Sequence, residues 1–225
     1  MLFLVLGKGK TGSLVAEVAR ERGHSVRAID VTENPNATAL TAPFLAGADV
    51  VIDFTTPEAA LENMRAVLSL GGRIVVGTTG WYAKLDEMKA LAGKRGGGLL
   101  YGTNFSIGVQ KLFRLTASLA ELEGYKFSIE ETHHASKLDA PSGTALTLKQ
   151  IIQGVRPEAE VLITAHRVGD AKGEHVVTAT SEHDEIVLRH NAYSRRGFAL
   201  GAVRGAEWLA GKTGAWEFRD ISEQI

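Results

Sequence analysis

The sequence contains no cysteine among its 225 residues. Disulfide bonds, a thiol nucleophile and a cysteine-ligated metal site are therefore excluded. No apolar run reaches the roughly 20 residues that a membrane-spanning helix needs. The first six residues are apolar but follow no basic segment, which indicates a buried strand and not a signal peptide. We expect a soluble, cytoplasmic protein without a membrane partner.

The chain also lacks an excess of charge of either sign. It has 25 Lys and Arg residues against 26 Asp and Glu residues, a formal net charge of -1. Proteins that bind nucleic acid by neutralising phosphates usually carry a basic excess, so no nucleic-acid partner is expected. The length is sufficient for one large or two small domains with a sizeable core.

Short apolar runs alternate with helical patterns over the first hundred residues. The predicted strands cover residues 2–6, 26–30, 49–54 and 73–76, with another beginning at residue 99, and the predicted helices cover residues 11–22, 57–70 and 81–94. Strands that are apolar almost throughout are typical of a parallel sheet covered on both faces by helices.

The pattern changes near Asn104. The spacing predicts a helix over residues 106–122, a strand over residues 127–131 and a loop rich in glycine, proline and histidine. Three strand-like segments then lie close together, at residues 161–167, 175–182 and 185–192, before a last helix over residues 197–212. This block predicts a second, α+β domain whose sheet is largely antiparallel.

The turn at residues 7–12 matches the pattern G-x-G-x-x-G, directly after a predicted strand and before a predicted helix. Such glycines allow a tight turn, close approach to a pyrophosphate and close packing of helix on strand. Asp30 ends the second strand, where an acid can bind the adenosine ribose and would repel a 2′-phosphate, which favours NADH. Lys8 and Lys10 could attract phosphate, so NADH and NADPH both stay open. The alternative is a glycine-rich turn without a ligand.

A second turn with two glycines, at residues 77–80, follows the fourth predicted strand. Ligands of open parallel sheets bind outside the carboxyl ends of the strands, so this Gly-Thr-Thr-Gly sequence could approach the nicotinamide ribose. The alternative is a turn that only caps the following helix.

Protonatable side chains are concentrated within residues 131–144. Two histidines and a lysine precede a Ser-Gly-Thr helix start, and the residues in question are His133, His134, Lys137, Ser142, Gly143 and Thr144. Histidine suits acid–base catalysis near neutral pH, and a nearby lysine can donate a proton. A helix N-terminus with hydroxyl groups favours a carboxylate. The alternatives are a solvated polar loop and a metal site, which the adjacent lysine disfavours.

The segment at residues 131–145 closely resembles the signature of the 4-hydroxy-tetrahydrodipicolinate reductases, formerly called dihydrodipicolinate reductases, a family of the lysine and diaminopimelate pathway. Supporting matches lie along the whole chain, in the glycine turn and at residues 53–55, 77–79, 104–109, 194–195 and 198–203. The resemblance implies reduction of 4-hydroxy-tetrahydrodipicolinate to tetrahydrodipicolinate with NADH or NADPH.

The resemblance also implies roles for individual residues. His133 would act as a proton donor or acceptor, and Lys137 as a proton donor. The substrate carboxylate would be bound by His134, Gly143 and Thr144, to which the helix start adds Ser142. The implied cofactor-binding residues are Gly7, Lys8, Gly9, Lys10, Thr11, Gly12, Asp30, Gly77, Thr78, Thr79, Thr103, Asn104 and Phe105. No metal is expected.

The fold that the resemblance implies is a Rossmann-type parallel-sheet domain formed by residues 1–106 and 196–225. An α+β substrate-binding and oligomerisation domain, residues 107–195, would be inserted into it and contain a mostly antiparallel, mixed sheet. Members of the family are usually homotetramers joined through that sheet. The chain departs from the family in a short region at residues 31–47, and Thr103 stands where a proline is usual.

Two other classes of protein remain alternatives. One is another two-domain reductase or amino-acid dehydrogenase on the same cofactor fold, and the other is a non-catalytic NAD-binding regulator. The first is not expected to carry the segment at residues 131–144. The second would keep the glycine turn but would need no proton donors beside a carboxylate site.

Overall fold

The computed structural model describes all residues from 1 to 225. The chain divides into two compact units. Unit 1 comprises Met1–Ser106 and Arg196–Ile225, and unit 2 comprises Ile107–Arg195. None of the helices combines the length and the hydropathy that crossing a membrane would require.

Unit 1 contains a six-stranded parallel sheet. Its strands are β1 (Leu2–Leu6), β2 (Ser25–Ile29), β3 (Val50–Asp53), β4 (Arg73–Val76), β5 (Gly98–Tyr101) and β10 (Gly214–Glu217). Their order across the sheet is β10-β5-β4-β3-β1-β2, and every neighbouring pair is parallel. The central strands are buried on both faces, which explains why they appear in the sequence as continuous apolar runs.

Six helices belong to unit 1. They are α1 (Lys10–Glu21), α2 (Ala42–Leu45), α3 (Pro57–Ser69), α4 (Leu85–Arg95), α7 (Arg196–Leu209) and α8 (Phe218–Ile221), with 3-10 turns at Pro35–Ala37 and Tyr82–Lys84. The predicted start of α3 is confirmed, since Pro57 is its first residue and Thr56 Oγ1 accepts a hydrogen bond from Ala59 N. Gly96, in the left-handed conformation at φ +66°, ends α4.

Unit 2 contains a four-stranded mixed sheet. Its strands are β6 (Lys126–His133), β7 (Val161–Arg167), β8 (Glu174–Thr180) and β9 (Glu185–Asn191), in the order β7-β6-β8-β9. The β6–β7 pair is parallel and the other two pairs are antiparallel. The helices α5 (Ile107–Leu119) and α6 (Gly143–Val155) contribute, with the inward side chains of the sheet, to one apolar core.

The predicted fold class, a parallel-sheet domain with a second domain built on a mixed sheet, is confirmed. The sequence did not predict β10, because its four half-buried residues show neither alternation nor a long apolar run. The region at residues 31–47 has no long helix, as expected, although a 3-10 turn and the four-residue α2 form there. The helix predicted from Trp81 begins at Leu85, after a 3-10 turn.

Candidate functional site

The turn after β1 is built by its three glycines. Gly7 has φ +97°, and a Cβ at this residue would lie 2.3 Å from the Phe54 carbonyl oxygen. A Cβ at Gly12 would lie 2.0 Å from the Gly7 carbonyl oxygen, so only glycine lets α1 pack on the turn. Gly9 faces open space, and α1 begins directly after it without a side-chain cap. The first N–H groups of α1 therefore suit a pyrophosphate.

A cavity of about 610 Å³ opens beside this turn. Its walls come from the carboxyl ends of β1, β2 and β3, the segment after β2 and the start of α3. The lining includes Gly7, Lys8, Gly9 and Asp30 from the predicted set, together with Val31, Asn34, Asn36, Phe54 and Asn63. Both its size and its place outside the carboxyl ends of parallel strands are typical of a cofactor site. The residues present therefore fit a dinucleotide.

Three charged side chains interact beside this cavity, and two of them, Lys8 and Asp30, line it. The Asp30 carboxylate accepts hydrogen bonds from Thr32 Oγ1 at 2.7 Å and Thr32 N at 2.9 Å, which lower the pKa of Asp30. The Lys8 ammonium contacts the Glu33 carboxylate, and this hydrogen bond raises the pKa of Lys8 and lowers that of Glu33. The charge of Lys8 is thus matched by an acid that the sequence analysis did not single out.

A buried carboxylate organises the edge of the sheet below the cavity. Asp53 has no exposed surface and accepts hydrogen bonds from Asn63 Nδ2 at 2.7 Å and from the hydroxyls of Thr55 and Thr78, each at 2.8 Å. Burial raises the pKa of Asp53, although these hydrogen bonds oppose the shift. Asn34 Nδ2 donates to Asn63 Oδ1 at 2.9 Å. The hydroxyl of Thr78, a predicted cofactor residue, is thus committed to Asp53.

Several predicted cofactor residues do not line the cavity. Lys10 is exposed and Thr11 half-buried in the first turn of α1. Gly77 lies against Phe54, since an added Cβ would be 2.2 Å from the Phe54 ring. Thr79, in the same turn as Gly77, is exposed. These residues belong to turns after β1 and β4, at the same edge of the sheet as the cavity.

The segment after β5 holds the last three predicted cofactor residues. Thr103 is exposed, and Asn104 Oδ1 accepts a hydrogen bond from Ser106 N at 2.8 Å. Phe105 is buried, and its ring centroid lies 4.4 Å from that of Phe218. The Phe105 side chain therefore has a packing role, and only its backbone is available to a ligand.

In unit 2, the inward face of β6 changes from apolar to polar at Glu131, which has no exposed surface. Its carboxylate accepts hydrogen bonds from Arg167 Nη2 at 2.9 Å and Ser142 N at 3.1 Å, and it contacts His133 Nδ1. Burial opposes ionisation, but the hydrogen bond from Arg167 and the charge of His133 outweigh it and hold the pKa of Glu131 below its ordinary value.

The rings of His133 and His175 meet edge to face beside this carboxylate, with centroids 5.1 Å apart. His175 is 4% exposed, its Nε2 lies 3.1 Å from Ser142 Oγ and its Nδ1 has no hydrogen-bond partner. Burial lowers the pKa of His133, against the attraction of Glu131. Burial and the charge of His133 lower the pKa of His175 to about 4.

The predicted helix start lies next to this cluster. Ser142 is the N-cap of α6, and its Oγ accepts a hydrogen bond from Ala145 N at 3.3 Å. Gly143 is exposed, with no atom within 4 Å of where a Cβ would be, and Thr144 is half-buried. The first turn of α6 is therefore accessible to an anion, whose charge the helix N-terminus would stabilise.

The loop between β6 and α6 carries the other protonatable residues. Lys137 Nζ lies 2.7 Å and 2.9 Å from the two carboxylate oxygens of Asp139, and this hydrogen bond lowers the pKa of Asp139. His134 Nδ1 lies 2.9 Å from Ser136 Oγ. Arg167 Nη2 donates to the Asp139 carbonyl oxygen as well as to Glu131, so one guanidinium ties the loop to β6.

The ligand atoms of Glu131, His133 and His175 lie within 4.8 Å of one another, a spacing that would suit a metal ion. However, the Glu131 carboxylate already has the Arg167 guanidinium and the Ser142 N–H as partners. A divalent cation would have to compete with the guanidinium, so we assign no metal to this cluster.

Three residues of these sites, Arg167, His175 and Glu33, are not predicted from the sequence. A signal existed for Arg167 and His175, since each follows the inward positions of its strand: Val161 and Ile163 pack in the core before Arg167, and His175 precedes the buried Val177. A polar residue at an inward position needs a partner. Glu33 gave no such signal, because it lies in an irregular segment.

A glycine turn at the carboxyl edge of a parallel sheet, with a cofactor-sized cavity, defines a dinucleotide-binding protein. Protonatable side chains beside an accessible helix N-terminus add the features expected of an oxidoreductase. Family models described as "Dihydrodipicolinate reductase, N-terminus" and "Dihydrodipicolinate reductase, C-terminus" match residues 1–105 and 108–221, respectively. The chain therefore belongs to the dihydrodipicolinate reductase family, as the resemblance predicted.

Individual relatives agree with this assignment. The chain is 37% identical to the 4-hydroxy-tetrahydrodipicolinate reductase of Christiangramia forsetii, over 100% of this chain and 99% of that protein. It is also 37% identical to that of Natronomonas pharaonis, over 94% of this chain and 96% of that protein. The family consists of reductases that use NADH or NADPH.

Solved structures support the fold. A dipicolinate-bound dihydrodipicolinate reductase from Paenisporosarcina sp. TG-14 superposes with a TM-score of 0.82 at 24% identity, covering 100% of this chain and 99% of that one. An amine dehydrogenase from Mycobacterium smegmatis reaches 0.69 at 11% identity, covering 97% and 95%. Since this chain shares its fold with both proteins at low sequence identity, the fold alone does not distinguish a dihydrodipicolinate reductase from an amine dehydrogenase.

Proposed function

We propose that this protein reduces 4-hydroxy-tetrahydrodipicolinate to tetrahydrodipicolinate with NADH or NADPH, in the synthesis of diaminopimelate and lysine. The observation that carries the proposal is the arrangement of residues 131–144, in which protonatable side chains adjoin an accessible helix N-terminus. A dicarboxylate that must gain a hydride and a proton needs both features. The full-length relatives carry the same substrate in their name.

His133 and Lys137 are the proposed proton-transfer residues. The Nδ1 of His133 is occupied by Glu131, so Nε2 is the nitrogen that exchanges a proton with the substrate or water. The Lys137 ammonium has an acid partner in Asp139 and can donate one of its protons to the reduced ring. Both residues belong to the segment that ends β6 and leads into α6.

His134 and residues 142–144 are the proposed carboxylate site. The backbone N–H groups at the start of α6 would donate to one substrate carboxylate, with the favourable helix dipole behind them. Gly143 supports this role because no side chain obstructs the approach to its backbone.

The cavity of unit 1 and its glycine turn are the proposed cofactor site. When bound, the nicotinamide cofactor supplies the hydride, and the protein orients the reactants and supplies protons. Gly7 to Gly12 would hold the pyrophosphate, and Asp30 would bind the adenosine ribose. We propose that NADH is preferred to NADPH, because Asp30 lines the cavity, Glu33 adds a second carboxylate beside it and Glu33 offsets the charge of Lys8.

We further propose a cytoplasmic homotetramer assembled through the sheet of unit 2. One face of that sheet packs against helices, whereas the opposite face carries Leu162, 70% exposed, and Val187, 50% exposed. These two residues belong to one row across the sheet, which runs through Ser128 and Thr178. Exposed apolar side chains on an open sheet face are typical of a protein interface.

Binding of pyridine-2,6-dicarboxylate tests the proposed reductase against the two alternatives. Calorimetry with and without saturating NADH should show binding that tightens when NADH is present, and competition against the reducible substrate. A non-catalytic NAD-binding regulator, or a dehydrogenase for a different substrate, would bind NADH but not this dicarboxylate. That outcome would overturn the proposed function.

A further inference from the structure

We propose that Glu131 is a positioning residue for His133, which fixes the tautomer and orientation of the imidazole, and that Arg167 keeps the Glu131 carboxylate in place. The inference deepens the proposed function and rests on it, because it concerns the proton-exchanging nitrogen of His133. The sequence alone predicts no role for either Glu131 or Arg167.

Burial and saturation of the Glu131 carboxylate are the first observation. The side chain has no exposed surface, yet it is held at three points: by Arg167 Nη2 at 2.9 Å, by Ser142 N at 3.1 Å and by His133 Nδ1. Three donors from β7, the start of α6 and β6 leave the carboxylate little freedom. A buried carboxylate with such partners remains ionised and can orient a histidine.

The tautomer of His133 follows from this contact. An ionised carboxylate has no hydrogen to donate, so Nδ1 of His133 must carry the proton that the two groups share. In the neutral ring, Nε2 is then the free base, and in the protonated ring it is the nitrogen that gives up a proton. When Nε2 gives its proton to the substrate, the Nδ1 proton stays on the ring and remains hydrogen-bonded to the Glu131 carboxylate. Water then returns a proton to Nε2. A carboxylate with this role acts without being protonated itself.

The absence of a side chain at Gly173, next to His133 Nε2, is the second observation. Gly173 has φ +138°, and a Cβ at this residue would lie 3.1 Å from His133 Nε2. The backbone thus approaches the nitrogen closely without a side chain to cover it. The His175 ring packs edge to face against the imidazole and restricts its rotation.

Charged and titratable groups face His133 from several elements. They are Glu131 on β6, Arg167 on β7, His175 on β8 and Lys137 in the following loop, with His190 on β9 beyond His175. Among them only Glu131 favours the imidazolium. Removal of the Glu131 charge should therefore lower the pKa of His133. If Glu131 had only a structural role, its replacement would leave that pKa unchanged.

The test uses the complete chain and combines NMR with kinetics. Nitrogen-15 spectra of the unmodified protein, with His133 assigned by a His133→Asn variant, should show the Nδ1–H tautomer in the neutral ring. Glu131→Gln should lower kcat by roughly 100-fold or more, as for other oriented histidines, with KM changed less than about threefold. It should also move the His133 titration to lower pH. Glu131→Asp, which keeps the charge, should recover part of kcat.

Glu130→Gln is the matched control, because Glu130 is the exposed neighbour on the opposite face of β6. It should leave kcat and the His133 titration unchanged. The Nε2–H tautomer in the unmodified protein would overturn the inference, as would Glu131→Gln with full kcat and an unmoved titration. If the unmodified protein turned over no substrate, the proposed function would fail. The tautomer measurement on the unmodified protein would still test the contact between Glu131 and His133, even if Glu131→Gln did not fold.

Discussion

Lys137 and Asp139 form an ion pair within one loop, with Lys137 Nζ 2.7 Å from Asp139 Oδ1. The Lys137 side chain is 23% exposed, against 58% for Asp139. The pair therefore keeps the ammonium partly covered while leaving the acid in contact with solvent. Under the proposed function, a lysine held in this way would donate a proton to a substrate bound at the start of α6.

Replacement of Lys137 should slow turnover strongly without affecting the binding of the cofactor. We expect Lys137→Ala to lower kcat by roughly 10²- to 10⁴-fold, because a positioned general acid contributes about that much. NADH binding, measured by fluorescence, should be unchanged. Lys172→Ala is the control, since Lys172 makes a similar exposed pair with Asp170, at 3.0 Å, in the same unit. Loss of NADH binding in Lys137→Ala would mean that the residue belongs to the cofactor site.

The glycines of the first turn should separate folding from cofactor binding. Gly12→Ala would place a Cβ 2.0 Å from a carbonyl oxygen, so we expect a lower melting temperature as well as weaker NADH binding. Gly9→Ala has open space and ordinary backbone angles, φ -72° and ψ -173°, so the fold should be kept while NADH binding weakens. Calorimetric melting and NADH titration of both variants check this. Normal NADH binding by Gly9→Ala would contradict a pyrophosphate at this turn.

The two acids beside the cavity, Asp30 and Glu33, should determine the choice of cofactor. We expect a higher kcat/KM with NADH than with NADPH. Glu33→Gln should raise the NADPH to NADH ratio of kcat/KM by a few-fold, because it removes a negative charge and releases Lys8. Asp86→Asn, an exposed acid at the start of α4, should leave the ratio unchanged. An unchanged ratio in both Glu33→Gln and Asp30→Asn would contradict this account.

His175 should make the protein less stable in acid. Its pKa is about 4 in the folded protein and near 6.5 when unfolded, so between these values the unfolded chain binds more protons and stability falls as pH falls. From pH 7.5 to pH 5.0 this corresponds to about 2 kcal/mol. Urea unfolding at the two pH values should show that loss in the unmodified protein, and about 2 kcal/mol less loss in His175→Gln. Equal losses would show that His175 titrates normally in the folded state.

The open face of the unit 2 sheet should determine the oligomeric state. Sedimentation of the unmodified protein should give a tetramer, and the double change Leu162→Glu with Val187→Glu should give smaller species, because buried charges destabilise an apolar interface. Leu70→Glu, at a residue 50% exposed in unit 1, is the control and should leave the tetramer intact. A tetramer that survives the double change would place the interface elsewhere.

The sequence predicted most of what local patterns determine. Buried strands, capped helices and the Gly7 to Gly12 turn each leave a short-range signal, and they were found. The contacts of Glu131 with Arg167 and His175 could not be predicted in this way. They depend on the register of β6 with β7 and β8, and Arg167 and His175 follow Glu131 by 36 and 44 positions in the sequence. Thr78 shows the same limit, since its hydroxyl binds Asp53, 25 residues earlier.

The proposed reductase activity can be measured as oxidation of NADH and NADPH in the presence of freshly made product of the preceding synthase step. The purified chain should oxidise at least one cofactor in proportion to that substrate, faster with NADH, and pyridine-2,6-dicarboxylate should inhibit competitively. If folded protein that binds NADH oxidised neither cofactor, that result would contradict the assignment of this activity.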